Sequence, residues 1–311
     1  MLKVIVLGVA AGGGIPQWNC NCPGCRAARE RPELAGTQAS IAVSADGRNW
    51  FLVNASPDIR QQINRTPALF PAEGTVRHSP ITGVILTNGE IDAITGLLSL
   101  REGSPFTIYG HRRVLDGLAG NNVFNVLKPE LVPRVAIRAD TDFEPLLPDG
   151  SPSGLLVTPY EVPGKPAWYL EETARATAEV LEYTPGDTLG LHIRERGSER
   201  GFHFIAACGG MTGELAERIR GTPLLFFDGT LWKDDEMVSA GLSHKTGRSM
   251  GHVPMTGESG AINALAGLGI GRKMFVHINN SNPALRPESP ERRRLEAAGW
   301  HIPHEGEEIT L

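Results

Sequence analysis

The stretch that decides the fold reads Leu86-Thr87-Asn88-Gly89-Glu90-Ile91-Asp92-Ala93-Ile94-Thr95-Gly96. It completes a short apolar run over residues 83–87, the pattern of a buried strand, and opens residues 91–102, where apolar positions recur at helical spacing. Polar side chains gathered between a strand end and a helix start stand where loops usually present ligands. The same grammar repeats on both sides. Residues 4–7 form a β-branched run that ends at Gly8, and residues 40–43 and 50–54 flank the turn dipeptide Asp46-Gly47, a hairpin signal. Strand 106–109 precedes helix 112–119, and strands 190–193 and 202–206 form a second predicted hairpin. Helix 212–220, strand 224–227, helix 259–268, strand 274–278 and helix 288–298 follow, while residues 128–185 read as strands joined by irregular loops. Two β-rich halves that each end in helices predict an α/β protein, a layered αββα sandwich with sheets inside and helices outside. No linker interrupts the pattern, so residues 1–311 are expected to form a single domain.

Composition narrows the function. The 311 residues include 37 Gly and 23 Pro, more than the ~12% of an average protein, and their lack of period excludes collagen and fits a loop-rich enzyme. Hydrophobic content of 41% and charged content of 21% argue against disorder. A net charge of −5 without a long basic run excludes nucleic acid as a partner. No run reaches the ~18 apolar residues that membrane insertion requires. The apolar opening breaks at Gly12-Gly13-Gly14 and reads as a first strand rather than a signal peptide, so the chain is expected to be soluble and cytoplasmic.

Three of the four cysteines, Cys20, Cys22 and Cys25, form C-x-C-x-x-C, with Cys208 far away. A disulfide framework would spread across a chain of this length, whereas crowded thiols with Pro and Gly between them let the backbone curl around an ion. The cluster is read as a structural zinc clip. Its fourth ligand must come from elsewhere, with His304 or His301 as candidates. A closed four-ligand site has no open position for chemistry, so its expected role is stabilising.

The stretch 86–96 resembles the metallo-β-lactamase superfamily signature T-H-x-H-x-D-H-x-x-G, with Asp92 and Gly96 matching and Asn88, Glu90 and Ala93 in the three histidine slots. The usual two-zinc hydrolase site is therefore not expected. Residues 183–190 are similar to a later histidine motif, with Asp187 in the histidine slot, and Cys208 lies where a bridging Asp is common. A closer resemblance, to the coenzyme PQQ (pyrroloquinoline quinone) synthesis B family, rests on strings spread from residue 7 to about 304. They include Ala10-Ala11-Gly12-Gly13-Gly14, Pro16-Gln17-Trp18-Asn19-Cys20, Asn54-Ala55-Ser56-Pro57-Asp58-Ile59-Arg60, Phe227-Asp228-Gly229-Thr230, Met250-Gly251-His252 and Phe275-Val276-His277-Ile278-Asn279-Asn280.

That resemblance implies a metallo-β-lactamase-like fold and a role in making PQQ from a peptide precursor. It implies an iron- and dioxygen-dependent oxidoreductase that hydroxylates the tyrosine ring of a Glu-Tyr-derived intermediate. The alternative is a non-catalytic transport protein that carries PQQ on a degenerate metallohydrolase fold. The family pattern ends in Asp-His, and Ala93, which has no lone pair, stands in that His slot. Iron chemistry with dioxygen needs two or three N/O ligands and open positions. Asp92, His277 and Asp228 are the expected Fe(II) ligands. His252 is read as a further ligand or a base, and Glu90 as a replacement ligand or a hydrogen-bond partner of one. A precursor or PQQ carrying several carboxylates calls for cations, and Arg60, Lys245 and Arg248 are the candidates. The glycines at 12–14 fit either an anion nest or a tight turn. Oligomeric state stays open, a homodimer included.

Overall fold

The computed structural model describes residues 1–167, 169 and 183–311, so the part of the irregular middle segment at 168 and 170–182 lies outside the described residues. Thirteen strands are described: β1 (Lys3–Gly8), β2 (Ser40–Ser44), β3 (Trp50–Val53), β4 (Ile81–Ile85), β5 (Thr107–His111), β6 (Arg134–Ile137), β7 (Leu155–Glu161), β8 (Leu189–Glu195), β9 (Gly201–Ile205), β10 (Leu224–Asp228), β11 (Arg272–Val276), β12 (Trp300–His301) and β13 (Glu308–Thr310). They form a seven-stranded sheet in the order β13-β1-β2-β3-β4-β5-β6 and a six-stranded sheet in the order β12-β11-β10-β9-β8-β7. Both expected hairpins are present, β2 on β3 and β8 on β9, each antiparallel. From β3 to β6 and from β9 to β12 the pairing is parallel, so the loops that leave those strands gather at one end of each sheet.

The strands are buried on both faces, and alternation sorts their side chains into separate cores. Val4 and Val6 join Val43, Phe51, Phe204, Phe226 and Met274 between the sheets. Ile5 and Leu7 point the other way, into a cluster with Leu52, Val84, Val114 and Leu118 beneath the helices of the first sheet. Leu225, Phe227 and Phe275 meet Leu215, Ile219 and Leu295 on the outer face of the second. This is the αββα metallo-β-lactamase fold. Each fully buried Phe or Leu contributes roughly 1.5–3 kcal/mol by leaving water, so three such clusters dominate the stability of the sandwich.

Helices form where sequence supplies a cap and an apolar stripe. α1 (Pro23–Glu30) starts at Cys22 with Pro at its first turn. Helix α2 spans Ile59–Arg65, α3 is the single turn Ile91–Ile94, and α4 (Arg112–Gly120) buries Val114, Leu115 and Leu118. Thr212 and Ser289 cap helices Gly213–Ile219 and Pro290–Ala297 by accepting from Leu215 N–H at 3.1 Å and Arg292 N–H at 3.0 Å.

Two predicted helices are shorter than their periodicity suggested. The 91–102 run stops after one α-turn and continues as the 3₁₀ segment Thr95–Leu100. Ala93 C=O accepts from Ala55 N–H at 2.7 Å and Gly96 N–H donates to Ala55 C=O at 2.9 Å, so these groups serve the neighbouring loop instead of an α-ladder. A Cβ on Gly96 would sit 2.1 Å from Ser56 O, which is why only glycine fits there. The 259–268 run is helical only over Ala261–Ala264, where Ala261 N–H and Ile262 N–H donate to Pro254 and Met255 carbonyls. Among the described residues, no helix is long and apolar enough to cross a membrane.

Candidate functional site

The site lies where the exits of the parallel strands from both sheets meet. Backbone bonds join them: Ala11 N–H donates to Ile278 O and Ile278 N–H to Val9 O, both at 2.8 Å, and Leu189 N–H donates to Thr87 O at 2.8 Å. Asp228 is the last residue of β10, Thr230 follows it, and His277 comes directly after β11. His277 adopts φ +56°, a conformation uncommon outside glycine that turns its ring into the site. His252 follows Gly251, whose φ of +82° ends the preceding 3₁₀ turn. Asp92 is contributed by α3 from the first sheet, 185 residues away from His277.

These groups form one hydrogen-bonded set. Asp228 is fully buried. Its Oδ2 accepts from Cys208 N–H at 2.8 Å and faces His252 Nδ1 at 2.7 Å. Its Oδ1 accepts from Thr230 N–H at 3.0 Å and from the Thr230 hydroxyl at 2.7 Å. A hydroxyl has one proton, so Thr230 Oγ1 is then the acceptor for His277 Nδ1–H at 2.9 Å. His277 Nε2 faces Asp92 Oδ2 at 2.8 Å, and the two imidazoles stack with centroids 5.1 Å apart.

Burial pushes the Asp92 carboxyl up, but the His277 hydrogen bond and the charges of His277 and His252 outweigh it and hold it below the usual carboxylate range. Burial pushes the His277 ring down, and its bond to Asp92, with the charges of Asp92, Asp228 and Glu90, lifts it above an ordinary histidine.

A cavity of about 620 Å³ opens above this set, within the usual size of a small-molecule site. Asp92, His252 and His277 line its floor. Asp228 stays beneath, where its four hydrogen bonds use both carboxylate oxygens and, among the described residues, leave His252 with Nε2 as its uncommitted nitrogen. Donor atoms of Asp228, His252 and His277 lie within 4.8 Å of one another, a grouping able to hold a metal. A carboxylate behind one imidazole and a hydroxyl behind the other is the arrangement that fixes metal-binding histidines. Asp92, whose Oδ2 is 2.8 Å from His277 Nε2, adds a carboxylate that faces the cavity.

The other expected residues divide. Glu90 lines the cavity and pairs with Lys165 at 3.7 Å, and Lys245 lines it too. Arg60 is instead exposed on α2. Arg248 is a correction as well: it lines a separate cavity of about 440 Å³ with Lys233 and Arg294. Ala93 is 3% exposed, packs with Ile94 and Leu97, and does not line the cavity. Asp187 is held by Arg113 at 2.8 Å, away from the floor. Cys208 is fully buried and pushed up to about 12 by burial and the Asp228 charge, an inert thiol. The glycines at 12–14 form a turn, since Gly14 N–H bonds Ala11 O and Gly13 N–H is taken by Gln38 Oε1 at 3.0 Å.

The sulfurs of Cys20, Cys22 and Cys25 also lie within 4.8 Å of one another, all as free thiols. Burial pushes Cys25 up to about 11, so a thiolate there calls for a bound cation, and three soft sulfurs fit zinc. The expected fourth ligand needs correcting. His301 and His304 both reach Glu307 Oε2 at 3.2 Å, with side chains 50% and 76% exposed, and neither reaches the thiols. The side chain over the sulfurs is Asn280, whose Nδ2 is 3.2, 3.6 and 3.2 Å from Cys20, Cys22 and Cys25. Residue 280 follows His277 by three, so one segment serves both the clip and the site. Asn280, Thr230, Lys165 and Trp18 were not singled out from sequence, although all but Lys165 stand inside the quoted strings.

Residues 49–278 match the beta-lactamase superfamily domain, which defines the class of the fold and site. Over the full length of both chains, the protein is 60% identical to coenzyme PQQ synthesis protein B of Rhodopseudomonas palustris and 59% identical to that of Bradyrhizobium diazoefficiens. A crystal structure of Zn(2+)-bound PqqB from Methylobacterium extorquens superposes with a TM-score of 0.92 at 46% identity, covering 99% of this chain and 100% of that one. A diphosphatase of the PhnP family, 20% identical with a TM-score of 0.66, shares the fold. The chain belongs to the coenzyme PQQ synthesis protein B family.

Proposed function

We propose that the protein acts in PQQ biosynthesis, as an iron- and dioxygen-dependent hydroxylase of the tyrosine ring in a Glu-Tyr-derived intermediate. The observation that carries this reading is the convergence of Asp92, His252 and His277 on the floor of a 620 Å³ cavity that Lys165 and Lys245 also line. Full-length identity to proteins named for PQQ synthesis supports the pathway. Fe(II) held by Asp92, His252 and His277 would supply the redox chemistry with dioxygen. Asp228 orients His252, Thr230 orients His277, and Glu90 positions Lys165. The two lysines attract the carboxylates of the precursor or of PQQ itself. The same reading assigns a structural zinc to Cys20, Cys22 and Cys25 and takes residues 1–311 as one domain, supported by the core shared between the sheets.

A second reading, a non-catalytic PQQ carrier, is favoured by one observation: Ala93 offers no donor where the family pattern has histidine. Anaerobic loading with Fe(II), followed by dioxygen and a tyrosine-containing dipeptide, separates the two. Iron uptake with ring hydroxylation supports the hydroxylase. Tight PQQ binding with neither iron uptake nor hydroxylation sinks it in favour of the carrier. Ala93→His in the same assay shows whether the missing imidazole is the cause.

A further inference from the structure

The cavity has a wall that the ligand chemistry above does not explain. Residues 17–20 form a turn clamped from several sides: Cys20 N–H donates to Gln17 O at 3.1 Å, and Gln17 N–H donates to Cys25 Sγ at 3.3 Å. The Arg29 guanidinium donates to Cys20 O at 2.7 Å and to Gln17 O at 2.9 Å. Four hydrogen bonds therefore fix the backbone around Trp18. Its side chain nevertheless makes almost no use of the protein. Trp18 is 87% exposed, while Trp50, Trp232 and Trp300 are 2%, 4% and 3% exposed. It lines the mouth of the site cavity, together with the half-exposed Ile91. A rigid turn that holds a bare indole over a cavity presents a large apolar face at little entropic cost, the property that makes tryptophan an effective binding anchor.

We propose that Trp18 is the ligand-selecting platform of this site, stacking against the planar aromatic ring of an aromatic polycarboxylate. The ring lies under the indole, and its carboxylates face Lys165 and Lys245, both of which line the same cavity. Stacking is sequence- and substituent-tolerant and depends on a flat π-face. Trp18 therefore distinguishes aromatic acids from aliphatic acids of equal charge. This inference rests on the reading of the cavity as the PQQ-pathway site, and it names the feature of the ligand that the wall recognises.

The test uses the metal-loaded full chain and titration calorimetry with three tricarboxylate probes: PQQ, benzene-1,3,5-tricarboxylate and the aliphatic tricarballylate. Trp18→Ala is expected to weaken both aromatic probes at least tenfold and to leave tricarballylate within twofold, with Trp18→Phe recovering most of the loss. Because the side chain is exposed, the thermal midpoint of both variants should stay within about a degree of the wild type. With a tyrosine-containing dipeptide as substrate, KM rises while kcat stays within twofold. Wild-type binding of PQQ that is unchanged in Trp18→Ala overturns the platform and leaves the pathway reading intact. Trp18-dependent binding of benzene-1,3,5-tricarboxylate without any binding of PQQ keeps the platform and sinks the pathway reading. Equal loss of all three probes, or no binding of any by the wild type, overturns the platform.

Discussion

Asp228→Asn tests whether the floor of the site is assembled as described. The wild-type carboxylate is fully buried and accepts from Cys208 N–H at 2.8 Å and from Thr230 N–H at 3.0 Å, one on each oxygen. An amide of the same shape keeps one oxygen and puts an NH₂ in place of the other. Whichever way it turns, one backbone N–H then faces another donor inside the protein. A buried donor left unsatisfied costs about 1–3 kcal/mol, and the lost charged contact to His252 Nδ1, 2.7 Å in the wild type, adds about 1.5–3 kcal/mol. The expected destabilisation is about 3–5 kcal/mol, read as the shift in urea unfolding of metal-stripped protein at pH 7. A second readout follows from the orientation argument: Fe(II) affinity should fall about 10–100-fold, although Asp228 does not line the cavity. A stability loss below about 1 kcal/mol with unchanged Fe(II) affinity would refute the assignment of Asp228 as the group that holds His252.

Three further outcomes follow from other parts of the structure. Elemental analysis should find about one zinc per chain that survives Asp92→Ala and disappears in Cys22→Ser, and loss of all metal in Asp92→Ala would contradict a separate clip. Gly96→Ala should cost more than about 3 kcal/mol or abolish folding, because its Cβ would lie 2.1 Å from Ser56 O and 2.6 Å from Ala55 O. Gly120→Ala at the end of α4, with nothing within 4 Å, should be neutral or slightly stabilising, and equal thermal midpoints for both variants would exclude the close-approach explanation. His203 is pushed down to about 3 by burial, the stacked His192 and Arg218, from an unfolded value of 6.5. The unfolded chain takes up this proton first, so stability falls below pH 6.5 by up to about 1.4 kcal/mol per pH unit until pH nears 3. His203→Gln should flatten that slope in unfolding midpoints measured from pH 7 to 4, and an unchanged slope would show that the proton goes elsewhere.

Local rules carried a large part of the fold. Asp46-Gly47 forces a tight turn, so the hairpin of β2 and β3 could be read directly, and Thr212 and Ser289 mark helix starts by cap chemistry alone. Strands β12 and β13 are two and three residues long, too short for any period to show, and they exist because β11 and β1 offer them edges. The break after Ile94 was equally hidden, because it depends on the Ala55 backbone arriving from another loop. In the site, residue chemistry was more legible than partnership. The sequence shows that Asp92 and His277 can bind a metal, but only tertiary structure brings them to 2.8 Å. His304 was a candidate for the clip on chemical grounds, yet Glu307 takes its ring and Asn280 takes the place over the sulfurs. Arg60 and Arg248 likewise carry suitable charge, but Arg60 is exposed on α2 and the Arg248 side chain lines another cavity.

The pairing of β13 with β1, Val4 opposite Ile309, bears on how the chain is made. A ribosome releases β1 first and β13 about three hundred residues later, so the first sheet waits for its outermost strand throughout synthesis. The site waits almost as long, because Asp92 meets His277 only after β11 has emerged. Vectorial folding can build the hairpins and parallel units on the way, but not the floor of the cavity. The half-made protein therefore exposes the inter-sheet faces of its early strands, and the nascent chain should lean on chaperones until its last quarter is translated.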